Sequence, residues 1–168
     1  DALLPRYKVE SARMKIEALN SEVDVEALPM KLEEETSFIL EKADLAVDCL
    51  DNPKGRYLLN RICLERKIPL VHGAVEGMRG QVTTVVPGRT PCLRCLLERV
   101  PRESGAMPIL GAVAGMGGSV QAAEAIKVLT GLGEPLLGRM FLFDLGEMEF
   151  EVIGLERKRG CPICGDIQ

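Results

Sequence analysis

Tryptophan is absent from the 168 residues, and the whole aromatic complement is two Tyr and four Phe, 4% of the chain. A core without large rings must rest on Leu, Ile, Val, Ala and Met, and the apolar fraction of 46% supplies them. Charge of one sign does not accumulate. The 21 Lys and Arg stand against 25 Asp and Glu, a formal net of −4. No basic block stands out, so the electrostatic footprint of a nucleic-acid binder is missing. Long apolar runs are missing too. The longest uncharged stretch, between Met107 and Glu124, carries Gly111, Gly115, Gly117 and Gly118, and is too short and too glycine-rich for a membrane span. No signal-peptide pattern opens the chain, and neither repeats nor low-complexity linkers interrupt it. These features define one globular domain over residues 1–168.

Hydrophobic periodicity then places the elements. Arg6 to Leu19 carries Val9, Ala12, Ile16 and Leu19 at the spacing of one helix face. Val23 to Leu28 alternates apolar and polar as a half-buried strand does, and Glu34 to Lys42 reads as a short helix whose acidic start favours the helix dipole. Leu45 to Leu50 is a short apolar run ending in Asp51-Asn52-Pro53. Lys54 to Lys67 is the next helix, with Leu58, Leu59, Ile62 and Cys63 facing inward, and Pro69 to Ala74 the next strand. Strand, helix, strand, helix, strand predicts an α/β layer with a parallel sheet. Beyond it the pattern changes. Gly80 to Val86 is a strand closed by Pro87-Gly88, and Cys92 to Glu98 turns from loop to helix. Ala112 to Leu129 is the longest helix, with Gly131 as its stop, and two strands, Met140–Leu145 and Met148–Leu155, flank Gly146 as a hairpin.

Six cysteines are present, four of them in C-x-x-C pairs: Cys92 with Cys95 and Cys161 with Cys164. Two such pairs supply the tetrahedral four-thiolate shell that a structural Zn2+ prefers. Between the pairs lie 65 residues, so the tertiary fold has to assemble the site. A redox dithiol at one pair, or four unrelated thiols, are the competing readings. A four-sulfur zinc has no open position, so its role is to pin the C-terminus and not to catalyse. Cys49 and Cys63 lie in apolar runs and read as buried small hydrophobes. Reduced thiols predict a cytoplasmic setting.

Asp48 and Asp51 flank the end of a predicted parallel strand, where open α/β sheets bind their ligands. A carboxylate there suits a hard cation such as Mg2+ against phosphate oxygens. Asn52 offers donor and acceptor groups to a nucleotide, and Arg56, one turn later, faces the same pocket or pairs with Asp51. Asp-Asn-Pro is equally an ordinary helix N-cap signal. His72, the single histidine, sits in a predicted interior strand with no partner motif around it and reads as a hydrogen-bonded structural residue. The glycine-rich start of the longest helix lacks the Lys-Ser/Thr ending of a phosphate loop and reads as close packing, with a subunit interface as one setting.

Several of these segments together resemble the ThiF/MoeB/HesA family of adenylyltransferases. Val47-Asp48-Cys49-Leu50-Asp51-Asn52 with Arg56 and Asn60 resembles the family's D-C-T-D-N-x-x-x-R-x-x-x-N stretch. Lys8-Val9-Glu10-Ser11-Ala12 resembles its K-V-E-x-A helix start, and Pro69-Leu70-Val71 through Gly80-Gln81 its P-L-V…G-x-x-G-Q segment. Gly118-Ser119-Val120-Gln121 through Lys127 resembles its G-S-x-Q-A-x-E-A-I-K helix, and the two cysteine pairs its zinc half-sites. The motifs run in order over essentially the whole chain. The resemblance implies a Rossmann-like, doubly wound sheet with an antiparallel β extension, a zinc site near the C-terminus, and a homodimer. It implies ATP-dependent adenylation of the C-terminal glycine of a ubiquitin-like or sulfur-carrier protein. Asp51 would hold Mg2+ and phosphate, Asn52 would touch the nucleotide, and Lys8 would reach the ATP phosphates.

Two departures accompany it. Members of the family begin with a strand and a G-x-G-G-x-G phosphate loop, whereas the match here starts just before Lys8, in a chain that opens on Asp1. Either the chain is part of a longer protein or it does not activate a substrate alone; a zinc-stabilised carrier-binding module without nucleotide chemistry is the alternative function. Many members also carry a transfer cysteine where this chain has Arg102-Glu103-Ser104-Gly105, which argues against thioester or persulfide transfer there.

Overall fold

The structure, a computed structural model, describes residues 7–96 and 108–165. They fall into two compact units, Asp1–Leu32 and Glu33–Gln168.

The first unit contains helix α1 (Lys8–Leu19), whose backbone starts on Tyr7 without a side-chain cap and ends at Asn20. None of its residues is buried; Glu10 and Ser11 are the most covered, while Val9, Ile16 and Leu19 are exposed. Apolar spacing shows which face of a helix can be covered, not that a neighbour covers it. The strand expected over Val23–Leu28 is not formed. That segment is a bend at Val23 followed by irregular chain, and among the described residues no strand pairs with it. Alternation alone cannot make a strand, because its backbone groups need a ladder partner.

In the second unit, the helix expected over Glu34–Lys42 shrinks to a single 3-10 turn, Ser37–Leu40, with Phe38 exposed. Thr36 Oγ1 accepts the Glu33 amide at 2.8 Å, a local turn that competes with helix initiation. Five strands follow: β1 (Ala46–Asp48), β2 (Leu70–Glu76), β3 (Arg79–Val85), β4 (Arg139–Asp144) and β5 (Glu149–Gly154). They lie in sequence order in one sheet, β1 parallel to β2 and every later pair antiparallel. The parallel pair is joined by helix α2 (Pro53–Glu65), as a parallel connection requires. The fold class is therefore α/β with an antiparallel extension, the extension being the larger part of the sheet.

Register decides which side chains meet helix α4 (Gly111–Thr130). Val71 and Val82, on one face of the sheet, form the core with Leu136, and Val120, Ala125 and Phe141 pack against it. Two glycines, one in the sheet and one in α4, make room for larger groups here. Gly80 pairs with Phe143, whose ring lies over it; an added Cβ would stand 2.1 Å from the ring's Cζ. Gly117 lets α4 approach Val75. Sheet and helix are cross-braced by Glu124, which is buried and accepts from Thr84 Oγ1 and from the Leu136 amide, both at 2.7 Å, while pairing with Lys127. Its three partners explain how a carboxylate sits in the core.

Candidate functional site

The Asp51 turn begins where β1 ends. Asn52 caps α2, its Oδ1 accepting the Gly55 amide at 2.7 Å, and Pro53 occupies the first helical turn, where its missing N–H costs nothing. The cap reading of Asp-Asn-Pro is thus realised. The turn also leaves Asp51 exposed at the carboxyl end of the parallel pair, with the Asn52 side-chain Nδ2 donating to its Oδ1 at 3.4 Å. Arg56 directs its guanidinium back into the turn: Nε and Nη2 donate to the Leu50 carbonyl at 2.9 and 2.7 Å.

Asp48 has a different place from Asp51. It is fully buried, its Oδ1 accepts the Leu50 amide at 2.9 Å, and its Oδ2 stands 2.6 Å from His72 Nδ1. His72, the register partner of Asp48, is buried and hydrogen-bonded in an interior strand, as a structural histidine should be. Gln121 of α4 closes the same strand ends, donating to the Asp48 carbonyl at 2.8 Å and lying 3.4 Å from that of Val71. Gly73 is what admits Gln121, since an added Cβ would lie 2.5 Å from its Cδ. Sequence motifs named Gln121 but gave no sign of this tertiary role.

Lys8, the first residue of α1, belongs to the first unit and is exposed; Asp51, Asn52 and Arg56 share one turn of the second. The segment Arg102–Gly105 lies outside the described residues. Cys49 is exposed and not, as its apolar run suggested, buried; β1 ends at Asp48, so its side chain leaves the sheet. Partial burial of its sulfur, and secondarily the Asp48 carboxylate, raise its thiol. Cys63 is buried as expected, and burial with the same carboxylate pushes it up to about 12.

The fold brings the two C-x-x-C pairs together. Cys92 precedes the short helix α3 (Leu93–Leu96), and Cys161 and Cys164 sit on the turn that follows β5. All four sulfurs lie within 4.8 Å of one another and all four residues are buried. Cys92 to Cys161 is 3.8 Å, Cys92 to Cys95 4.0 Å and Cys95 to Cys164 3.4 Å. A tetrahedral ion with bonds of about 2.3 Å spaces its sulfurs about 3.8 Å apart, so the residues fit a four-thiolate metal site. Gly165 closes the C-terminal turn, its amide bonded to the Cys161 carbonyl at 2.8 Å; a Cβ there would meet that oxygen at 2.5 Å. Burial acts to raise the Cys161 thiol, but the amides of Cys164 and Ile163 together with the neighbouring Cys164 and Cys95 thiols outweigh it and hold it down at about 7. Cys92 and Cys164 are pushed up, chiefly by burial. Asn60 ties α2 to this cluster, its Oδ1 accepting the Leu93 amide at 3.1 Å, while its buried Nδ2 has no partner among the described residues.

A mixed α/β sheet with an acidic turn at the end of its parallel pair and a four-thiol cluster assembled by the fold defines a narrow class of protein. The ThiF family matches residues 2–163, and the chain belongs to that family. Protein HesA of Nostoc sp. is 37% identical over 168 residues, covering 99% of this chain and 67% of HesA. A sulfur carrier protein adenylyltransferase of Thermus thermophilus is 40% identical, covering 92% of this chain and 61% of the relative. The crystal structure of E. coli MccB shares the fold at a TM-score of 0.80 and 20% identity, covering 97% of this chain and 51% of MccB. The chain thus spans between about half and two thirds of these three proteins. Among the described residues, no helix is long and apolar enough to cross a membrane.

Proposed function

We propose that residues 1–168 form part of one adenylation domain that uses ATP to activate the C-terminal glycine of a ubiquitin-like or sulfur-carrier protein. The observation that carries this reading is the Asp51 turn, an exposed carboxylate held at the carboxyl end of a parallel strand pair, in a chain whose relatives include adenylyltransferases. In such a reaction a carboxylate oxygen of the carrier attacks the α-phosphorus of ATP. The bond from that phosphorus to its bridging oxygen breaks, and pyrophosphate leaves with the electron pair. Like charges must approach one another, so positioning and charge neutralisation carry most of the work.

Asp51 would hold Mg2+, which shields the phosphates, and Asn52 and Arg56 would line the nucleotide side of the turn. Lys8 would supply a point charge to the phosphates. The four cysteines would hold Zn2+, a closed shell that pins the C-terminal turn to α3. The protein would work as a homodimer in the cytoplasm.

The test is ATP–pyrophosphate exchange by the protein at its full natural length, with and without a carrier ending in glycine. Exchange that appears only with the carrier, and is lost when the carrier's last glycine is removed, supports the reading. Carrier capture without any exchange identifies a zinc-stabilised carrier-binding module instead.

A further inference from the structure

Leu50, the residue before Asp51, is held on both sides of its backbone. Its amide donates to Asp48 Oδ1 at 2.9 Å, and its carbonyl takes two donors from Arg56 at 2.9 and 2.7 Å. Asp48 grips this amide from a fully buried position, so its orientation depends on what satisfies its other oxygen. That partner is His72 Nδ1, 2.6 Å from Oδ2, on a ring that is 4% exposed. On the far side of the ring, Gln81 Nε2 lies 3.5 Å from His72 Nε2. With the amide as donor there, Nε2 accepts and the ring proton sits on Nδ1, directed at Asp48. The Asp48 backbone carbonyl is occupied by Gln121. Both carboxylate oxygens and the backbone carbonyl of Asp48 therefore have partners inside the protein, and what the side chain delivers to the surface is the position of the Leu50 peptide.

We infer that His72 and Asp48 are a positioning pair which fixes the Asp51 turn for the magnesium–nucleotide complex. The inference rests on the adenylation reading given above. His72 touches neither nucleotide nor carrier. It acts through Asp48, then through the Leu50 amide, on the residue next along the chain. Losing the N–H at Nδ1 leaves Asp48 buried with one oxygen unpartnered, free to turn away from Leu50. Asparagine at position 72 carries an amide N–H at the place of Nδ1; leucine has none, and glutamine carries it one carbon further out.

The experiment compares His72→Leu, His72→Asn, His72→Gln and Asp51→Ala in the protein at its full natural length, by carrier-dependent ATP–pyrophosphate exchange at varied Mg·ATP. Hydrogen exchange of the Leu50 amide is followed by NMR in the same proteins. His72→Leu is expected to lower kcat/KM for Mg·ATP by about tenfold or more, with a raised KM, as losses behind a ligating group do. Its Leu50 amide should exchange faster. His72→Asn should recover most of both effects, and His72→Gln should not. If His72→Leu does not fold, the contrast between Asn and Gln decides alone. Equal exchange kinetics in the Asn and Gln variants, or a His72→Leu protein within twofold of the parent, overturns the pair. Full activity in Asp51→Ala overturns the adenylation reading of the turn and the pair's role in it; normal Leu50 protection in His72→Leu overturns the clamp by itself.

Discussion

Replacing Gly73 by alanine would put a methyl carbon 2.5 Å from Gln121 Cδ and 2.7 Å from both amide heteroatoms, closer than non-bonded atoms approach. Two responses are open. If Gln121 stays, the strain of overpacking a closed site costs about 1–3 kcal/mol. If it swings away, the Asp48 carbonyl loses its 2.8 Å donor inside the protein, at a similar cost of about 1–3 kcal/mol. Either way Gly73→Ala should destabilise by about 2 kcal/mol. The sign should change once Gln121 is truncated. In a Gln121→Ala background the clash is gone, and alanine in an extended strand is favoured over glycine by about 0.5–1 kcal/mol. The assay is a double-mutant cycle by urea denaturation of four proteins kept in one metal state: the parent, each single variant and the double. A coupling of about 2–3 kcal/mol is expected. A Gly73→Ala cost that is the same in both backgrounds, within about 0.5 kcal/mol, would refute the packing argument.

Glu124→Ala should be among the most destabilising single changes, by about 2–3 kcal/mol or more in urea titrations, because it strands the buried Thr84 hydroxyl and Leu136 amide together, while Lys127 keeps the Glu134 carbonyl. A loss below about 1 kcal/mol would show that the brace carries nothing. Zinc uptake by the four cysteines should be tighter at high pH, since the metal binds thiolates. Cys92 and Cys164, held up by burial, would have to lose protons to bind a metal at neutral pH, and Cys161 would join them as pH falls through about 7. Affinity measured against a competing chelator should therefore fall steadily from pH 8 to pH 6; a flat profile would rule out a four-thiolate site.

Where hydrophobic runs are bounded by a turn signal, the chain could be read directly. The stretch from Leu45 to Ala74 became β1, α2 and β2 because apolar runs, a cap and a helical face all agree there. The hairpin around Gly146 was legible for the same reason, its turn secured by Asp144 Oδ1 accepting the Gly146 amide at 2.8 Å. The segment Val23–Leu28 misled because alternation signals a face and says nothing of a partner strand. Glu124 and Gln121 could not be placed from periodicity, since a polar residue on a helix reads as solvent-facing until its buried partners are seen. The cysteine cluster lies between these cases. Spacing named all four cysteines, but only the return of the chain after β5 brings Cys161 and Cys164 to Cys92 and Cys95. At the Asp51 turn the helix cap was legible and the support beneath the turn was not: Arg56 was expected to face the pocket or pair with Asp51, and no sequence signal announced that its guanidinium grips the Leu50 carbonyl.

The carboxylate of Asp51 is the centre of the proposed adenylation chemistry. Carrier-dependent ATP–pyrophosphate exchange by the Asp51→Ala protein, at saturating Mg2+ and with folding verified, should fall by about 100-fold or more, the scale of losing one preorganised electrostatic group at a reacting phosphate. Exchange at the parent's rate would contradict it.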